Sequence, residues 1–393
     1  MILTELIGKI NTKRLATRAL DMVRIPSPTG QTRVVAEYFS DACRSLGGAV
    51  TVIDRIPDAP VEYDAPSVAA LWQFEDGPTL QIDGHTDTID MPHPPAELRD
   101  GFLTGRGAVD MKASVAAAIE AVNVISDTGL RVPGNLLLTT HGMHEAPLGH
   151  GEGLRALIAA GFLGDAAVVP EGPADELALV GRGMAIWNAR VYGPSENGHE
   201  NSMPRDTPHP LVGAGELVVA LNAERLRLAQ TERPYVGCET LFVGQIHGGD
   251  FYNRFPTQCY LQGTRRYFAD HRFEDVATEF REICELVAAH TGTRVEVEWD
   301  RIRDGYEVPE DAKVVRAYQD SFRRIEGREM PRSAFMSVGD VSILAGEAGI
   351  PAVYCGTRAV GAHSDLEVMP LDELVNQTAH LIGIITEYFG AEL

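Results

Sequence analysis

The chain has 393 residues, enough to bury a large core and form two domains. Hydrophobic residues make up 44% and charged residues 23%, an ordinary globular balance. The formal net charge is −22 and the basic residues are nearly all arginine, which argues against nucleic acid or an anionic membrane as the main partner. It leaves room for a small anionic substrate held by local arginines or a metal.

The five cysteines are scattered, odd in number and without a CxxC pair, the pattern of a reduced setting with no structural disulfide. The N-terminus has helical apolar spacing with charges throughout, and lacks the uninterrupted apolar core of a signal peptide. No apolar run approaches membrane-spanning length. A cytoplasmic protein is expected.

The opening segment to about Val23 reads as one amphipathic helix, followed by the turn-rich IPSPTGQT (25–32). A second helical pattern runs through Leu46 and stops at Gly47-Gly48. Strands are then predicted at AVTVID (49–54), SVAALWQF (67–74), TLQID (79–83), NLLLTT (135–140) and AAVVP (166–170). An alanine-rich helix over 111–126 lies among them. This alternation predicts an α/β fold with a mostly parallel sheet flanked by helices. After Gly183 the texture changes: strands at 184–193, 241–249, 258–268 and 293–299 and helices at 210–230 and 273–292 form an α+β insert. Helix–strand alternation then resumes, with a strand over 350–356 and a closing helix from Leu371 to Phe389. The predicted division is 1–182 with 300–393 as one domain and 183–299 as the insert.

Polar residues collect just beyond the strand ends. TLQID runs into GHTD (84–87), NLLLTT into HGMHE (141–145), AAVVP into Glu171, and IPAVYCG precedes GAHSD (361–365). Open α/β sheets place ligand sites outside the carboxyl ends of their strands, so these loops are expected to share one rim. GRGAVDMK (105–112) adds Asp110 at the start of the long helix. Singly, each has a plain alternative: a helix cap for Asp110, solvated loop acids for Glu145 and Glu171, a surface turn for His363. Together, His85, Asp110, Glu145, Glu171 and His363 suit a two-metal site for zinc or a similar ion. Asp87 follows His85 by two residues and, in an extended segment, would accept its ring N–H and fix its tautomer.

At these motifs the chain resembles the acetylornithine deacetylase, succinyl-diaminopimelate desuccinylase, carboxypeptidase G and aminoacylase family of metallohydrolases. The likeness runs nearly end to end, through MVRIPSPTGQT, DGHTDTID, GRGAVDMKAS, MHEAP, VVPEGP, LVGRG, GHENSMP, GGDFYNRFP, GIPAVYCG and GAHSD. It implies a co-catalytic zinc-peptidase-like domain in which Asp110 bridges two metals, with His85 and Glu171 on one and Glu145 and His363 on the other. It also implies that the insert is a lid and dimerisation domain. His199 in GHENS would reach a partner subunit's site and polarise the scissile carbonyl; Asn253 in NRFP would help hold the substrate, and Arg266 in GTRRYF would bind it.

The sequence departs from the family pattern where two consecutive acids are usual, a general base and then a ligand. Here the pair is His144-Glu145, followed by extra residues that include His150 and Glu152. A second departure is Thr264, where an acid is usual two residues before the arginine. A neutral imidazole at 144 could accept the proton, since imidazole is ordinarily more basic than a carboxylate. Alternatively His144 orients while Glu152 or the substrate transfers the proton, or hydrolysis has been lost. The substitution removes one negative charge, which should weaken the hold on a second metal.

Arg265, Arg266 and Arg358 could pair with a carboxylate or be solvated surface charge. His209 and His247 read as structural. Trp187, Tyr192, Phe251 and Tyr252 read as core, with one or two as pocket wall. The expected activity is metal-dependent hydrolysis of a C–N bond in an N-acyl amino acid or dipeptide-like amide by metal-activated water, with His144, His199 and Asp87 catalytic and Asn253, Arg266 and Arg358 on the substrate. One or two divalent ions per chain are expected, zinc first, with manganese or cobalt as alternatives. Hydrolytic deamination of an aromatic amine such as a nitroanthranilate, and a non-catalytic metal-containing binding protein, are the competing readings. A homodimer or higher homo-oligomer through the lid is expected, with no nucleic-acid or membrane partner.

Overall fold

The structure, a computed structural model, describes residues 3–57 and 59–391. The opening segment forms two helices instead of the single one predicted, α1 (Leu3–Ile7) and α2 (Thr12–Arg24). The break comes from Asn11, whose side chain accepts the backbone N–H of Arg14 and starts α2 afresh. Then come α3 (Arg33–Ser45), β1 (Ala49–Ile53), β2 (Ser67–Gln73), β3 (Thr79–His85), the short hairpin strands β4 (Glu97–Arg99) and β5 (Phe102–Thr104), α4 (Lys112–Thr128), β6 (Asn135–His141), α5 (Glu152–Ala159) and β7 (Ala166–Val169).

These strands build one six-stranded sheet in the order β1-β2-β6-β3-β7, completed by Ala352–Tyr354. Only β2 runs against its neighbours; β6, β3, β7 and Ala352–Tyr354 pair in parallel. Buried on both faces, the parallel strands carry near-continuous apolar runs such as Leu136–Leu138. Alternation still sorts the two faces: Leu137 packs with Ala69 and Leu157 of α5, while Gly84 faces Met111 and Val115 at the start of α4. A Cβ at Gly84 would lie 2.8 Å from the Met111 side chain and 3.2 Å from Val115. Glycine therefore allows the helix that begins just after Asp110 to approach the strand that ends in His85.

Helix α4 is buried nearly all round, which explains its alanine content, and ends at Gly129 in the left-handed region (φ 65°). No helix of the described residues is long and apolar enough to cross a membrane.

By its internal contacts the chain divides into two compact units. The first runs to Leu179 and resumes over Glu307–Phe335 and from Gly339; the second comprises Val180–Tyr306 with Met336–Val338. The second unit contains a four-stranded antiparallel sheet, ordered Thr240–Gly248, Gln258–Tyr267, Gly183–Tyr192 and Arg294–Arg303. One face is covered by α6 (Pro210–Leu228) and α7 (Phe273–Thr291). Trp187 is the centre of that core and packs against Phe280 with ring centroids 5.1 Å apart. Phe251 and Tyr252 do not join it: they are 61% and 85% exposed, against the core reading from sequence.

Candidate metal centre

Strands β3 and β6 pair in parallel with His85 opposite His141, so their carboxyl ends leave the sheet side by side. Beyond β6 the chain turns through a tight loop carrying His144 and Glu145. Gly149 N–H donates to the Glu145 carbonyl and Gly151 N–H to that of Met143, fixing the loop on itself. Met143 and His363 both hold left-handed backbone angles (φ 86° and 61°), uncommon for residues with a side chain. Such geometry persists where surrounding contacts enforce it.

The five residues predicted as ligands come from five segments, and four of them are joined by direct contacts. Asp110 Oδ1 lies 3.0 Å from His85 Nε2, and its Oδ2 lies 3.1 Å from His363 Nε2. His363 Nε2 is also 3.1 Å from Glu145 Oε1. Asp110 is not a helix cap: the cap position of α4 is Met111, with no side-chain cap bond. Ligand atoms of His85, Asp110 and Glu145 lie within 4.8 Å of one another, as do those of His85, His144 and Glu171.

Asp87 acts differently from the expectation. The nearer partner of His85 Nδ1 is the Asp87 backbone carbonyl at 3.0 Å, with the carboxylate Oδ1 at 3.4 Å. The other oxygen, Oδ2, accepts from Thr29 Oγ1 and from the backbone N–H groups of His144 and Glu145 at 2.9, 2.9 and 3.0 Å. Asp87 thus ties the His144-Glu145 loop to the end of β3. Burial opposes its charge, yet bonding and attraction from His85 hold its pKa down to about 2.

These residues fit a cation. A neutral His85 that donates from Nδ1 to a carbonyl turns a bare Nε2 lone pair toward Asp110, and two acceptors 3.0 Å apart need a proton or a metal between them. Burial opposes charge on His85, but Asp110 and Asp87 outweigh it and hold its pKa well above the usual imidazole value. Hydrogen bonds to Asp110 and Glu145 push His363 up to about 10. Burial and the nearby Asp110 charge push Glu171 up to about 7, and its buried Oε2 has no hydrogen-bond partner among the described residues. A divalent cation would serve these same donor atoms in place of a proton.

The ring of His144 stacks on that of His85, with centroids 4.0 Å apart and planes 5° apart. Its Nδ1 lies 3.0 Å from Oδ1 of Asp340, a fully buried carboxylate. Behind it, His141 Nε2 lies 3.2 Å from Asp340 Oδ2 and 3.5 Å from Asp83 Oδ2. Sequence reasoning missed Asp340 and Asp83 and left His141 undecided. A signal existed for two of them: Asp83 and His141 are polar residues at inward positions of apolar strands, which need partners when buried. Asp340, in SVGD, carried none. Glu152, the alternative proton carrier, accepts the backbone N–H of His150 at 2.7 Å.

Outside this cluster, Arg358 differs from its predicted role. It is held by Asp175 at 2.7 Å, Glu326 at 3.1 Å and Glu373 at 3.3 Å, so its guanidinium is occupied by carboxylates of its own chain. Arg265 is likewise committed, to buried Glu239. Arg266 donates to the Met336 carbonyl at 3.3 Å and forms no ion pair among the described residues. Burial and nearby Arg182 lower its pKa. His199 and Asn253 lie together in the second unit, with His199 Nε2 and Asn253 Nδ2 3.2 Å apart.

Residues 82–387 match the model of peptidase family M20/M25/M40. The chain is 24% identical over 429 residues to N-formyl-4-amino-5-aminomethyl-2-methylpyrimidine deformylase of Halalkalibacterium halodurans, covering 98% of this chain and 97% of that one. It is 32% identical over 289 residues to succinyl-diaminopimelate desuccinylase of Methylobacterium radiotolerans, covering 69% and 71%. Its fold matches that of a tripeptidase of Staphylococcus aureus with a TM-score of 0.82, at 22% identity and covering 98% and 100%. With its candidate ligands gathered at one sheet rim, the chain belongs to peptidase family M20/M25/M40, whose members are metal-dependent hydrolases of C–N amide bonds.

Proposed function

We propose that this chain is a cytoplasmic amidohydrolase that cleaves the C–N bond of an N-acyl amino acid or a dipeptide-like amide bearing a carboxylate. The observation that carries the reading is Asp110, whose two oxygens face two different histidines, His85 and His363. A carboxylate so placed suits a bridge between two cations, zinc in the first instance. His85 and Glu171 would hold one, and Glu145 and His363 the other. When bound, the cations supply Lewis acidity, making water nucleophilic at neutral pH and drawing charge from the amide carbonyl.

The chain's own residues do the rest. His144 Nε2 takes a proton from the attacking water and returns it to the leaving amine. Asp87 holds the His144-Glu145 backbone in place for this. Arg266, with no ion pair of its own among the described residues, is suited to a substrate carboxylate. His199 and Asn253 fit the completion of a second copy's site, His199 as donor to the carbonyl oxygen, with the insert as lid and dimerisation unit. The deformylase and desuccinylase relatives carry names of acyl-removing enzymes, which supports an N-acyl substrate over a long peptide.

The test is a screen of zinc- and manganese-loaded protein against N-formyl, N-acetyl and N-succinyl amino acids, di- and tripeptides, and aminobenzoates. Release of a free amine from an acylated substrate is expected. Ammonia from an aminobenzoate alone, or tight metal with no turnover of any substrate, would overturn the reading.

A further inference from the structure

The centre has a second tier that its ligand set does not require. Asp340 is fully buried and divides its two oxygens between two histidines: Oδ1 at 3.0 Å from His144 Nδ1 and Oδ2 at 3.2 Å from His141 Nε2. His141 is itself buried between Asp340 and Asp83. Asp83 is tied onward through Oδ1 to the Thr139 hydroxyl, which accepts from Gln81 Nε2. Gln81, Asp83, Thr139 and His141 lie on the paired strands β3 and β6 and are buried, as is Asp340.

We propose that Asp340 is a positioning residue for proton transfer: it holds the His144 ring with Nδ1–H turned inward and leaves the Nε2 lone pair for the cluster around His85 and Glu171. The inference rests on the reading of His144 as proton carrier. Three contacts hold His144, two of them on its ring. Asp87 Oδ2 accepts the His144 backbone N–H at 2.9 Å, His85 stacks on one ring face, and Asp340 accepts at Nδ1. A carboxylate is an acceptor only, so a hydrogen bond to it places the proton on Nδ1. In the neutral ring the remaining nitrogen is then an acceptor, the state a base needs.

Charge gives an independent reason. An imidazole at position 144 lacks the negative charge of a carboxylate base. Asp340 places that negative charge 3.0 Å from Nδ1, on the side of the ring away from Nε2. His141 Nε2 faces the other oxygen of Asp340 at 3.2 Å and Asp83 at 3.5 Å. The base of this chain is thus a histidine–aspartate pair, with Asp340 acting only through His144.

The test uses the zinc-loaded full chain labelled with 15N-histidine, with His144→Ala to assign the His144 signals. Nδ1–H is expected as the His144 tautomer, and Asp340→Asn should shift or mix it. A His144 protonated at Nε2, or signals unmoved in Asp340→Asn, would overturn the proposal. His141→Gln alters the contacts to Asp83 and to the other oxygen of Asp340 but not the one to His144 Nδ1, and should leave the His144 tautomer unchanged; loss of the tautomer there would make Asp340 a general packing residue and overturn it as well. In turnover of an N-acyl substrate, Asp340→Asn should lower kcat about 10- to 100-fold with KM within about twofold. In a His144→Ala background the same change should cost less than about twofold. Additive losses would contradict positioning through His144. Absence of turnover in the wild type would sink the hydrolase reading, while the tautomer result still decides this one.

Discussion

Glu367 Oε2 accepts the backbone N–H of Asp110 at 3.2 Å. The same oxygen accepts from Gly107 and Val109 at 3.1 and 2.9 Å, and Oε1 pairs with Arg106 at 2.8 Å. Glu367 stands four residues beyond His363, next to the strand Val368–Pro370 that pairs with β5. One buried carboxylate therefore sets the loop that presents Asp110 and lies close in sequence to His363. Glu367→Gln is expected to weaken zinc binding about 10- to 100-fold, the range for partners that orient ligands. Chelator competition measures it; unchanged affinity would show that the loop holds its shape without Glu367.

His141 gives a pH dependence of stability. Burial opposes its charge, but Asp340 and Asp83 outweigh burial and push it up to about 10, above the roughly 6.5 of an unfolded imidazole. A raised value in the folded state means the charged form is favoured by folding. Its stabilising contribution is full below about pH 6.5 and is lost as pH rises through about 10. Chemical denaturation from pH 6 to 10 should show the wild-type advantage over His141→Gln shrinking as pH rises. An advantage that is constant across that range would mean His141 is neutral in its buried setting.

The two arginines expected at the substrate should separate. Arg266→Ala should raise KM for a carboxylate-bearing substrate about 10- to 100-fold, the loss of a charge-assisted contact of roughly 1.5–3 kcal/mol. Arg358→Ala should leave KM unchanged and lower the melting temperature instead, because it releases Asp175, Glu326 and Glu373 from their shared cation. Equal effects of both variants on KM would contradict this division.

Trp187 is fully buried at the centre of the second unit's core. Trp187→Ala is expected to destabilise that unit by about 3–5 kcal/mol. Differential hydrogen exchange would place the loss over Gly183–Tyr192 and Gln258–Tyr267, with the sheet around β3 and β6 retaining its protection. Loss spread evenly over both units would show that they unfold as one.

Much of this architecture was legible in the sequence because its signals are local. Apolar runs broken by glycine and proline marked β2, β3, β6 and β7, and polar residues at their ends marked the rim carrying His85, Glu145 and Glu171. The break between α1 and α2 was harder to see, because Asn11 caps a helix within an unbroken amphipathic pattern. The role of Asp340 was invisible for a different reason. It meets His144 across 196 residues of chain, and no periodicity records such a contact. Arg358 shows the converse: its proximity in sequence to His363 suggested the rim, and the ion pairs it makes with Asp175, Glu326 and Glu373 leave no trace in the sequence. Asp87 lies beside His85, yet its carboxylate serves mainly the neighbouring loop, because the backbone carbonyl is the closer acceptor for the ring.

The central claim is that Asp110 joins two cation sites into one hydrolytic centre. Calorimetric titration of the metal-free protein with zinc, for wild type and Asp110→Ala, tests it most directly. Two zinc ions per chain are expected in the wild type, and at most one weakly held ion in Asp110→Ala, with loss of amide turnover. Two ions bound by Asp110→Ala with wild-type affinity would contradict the account.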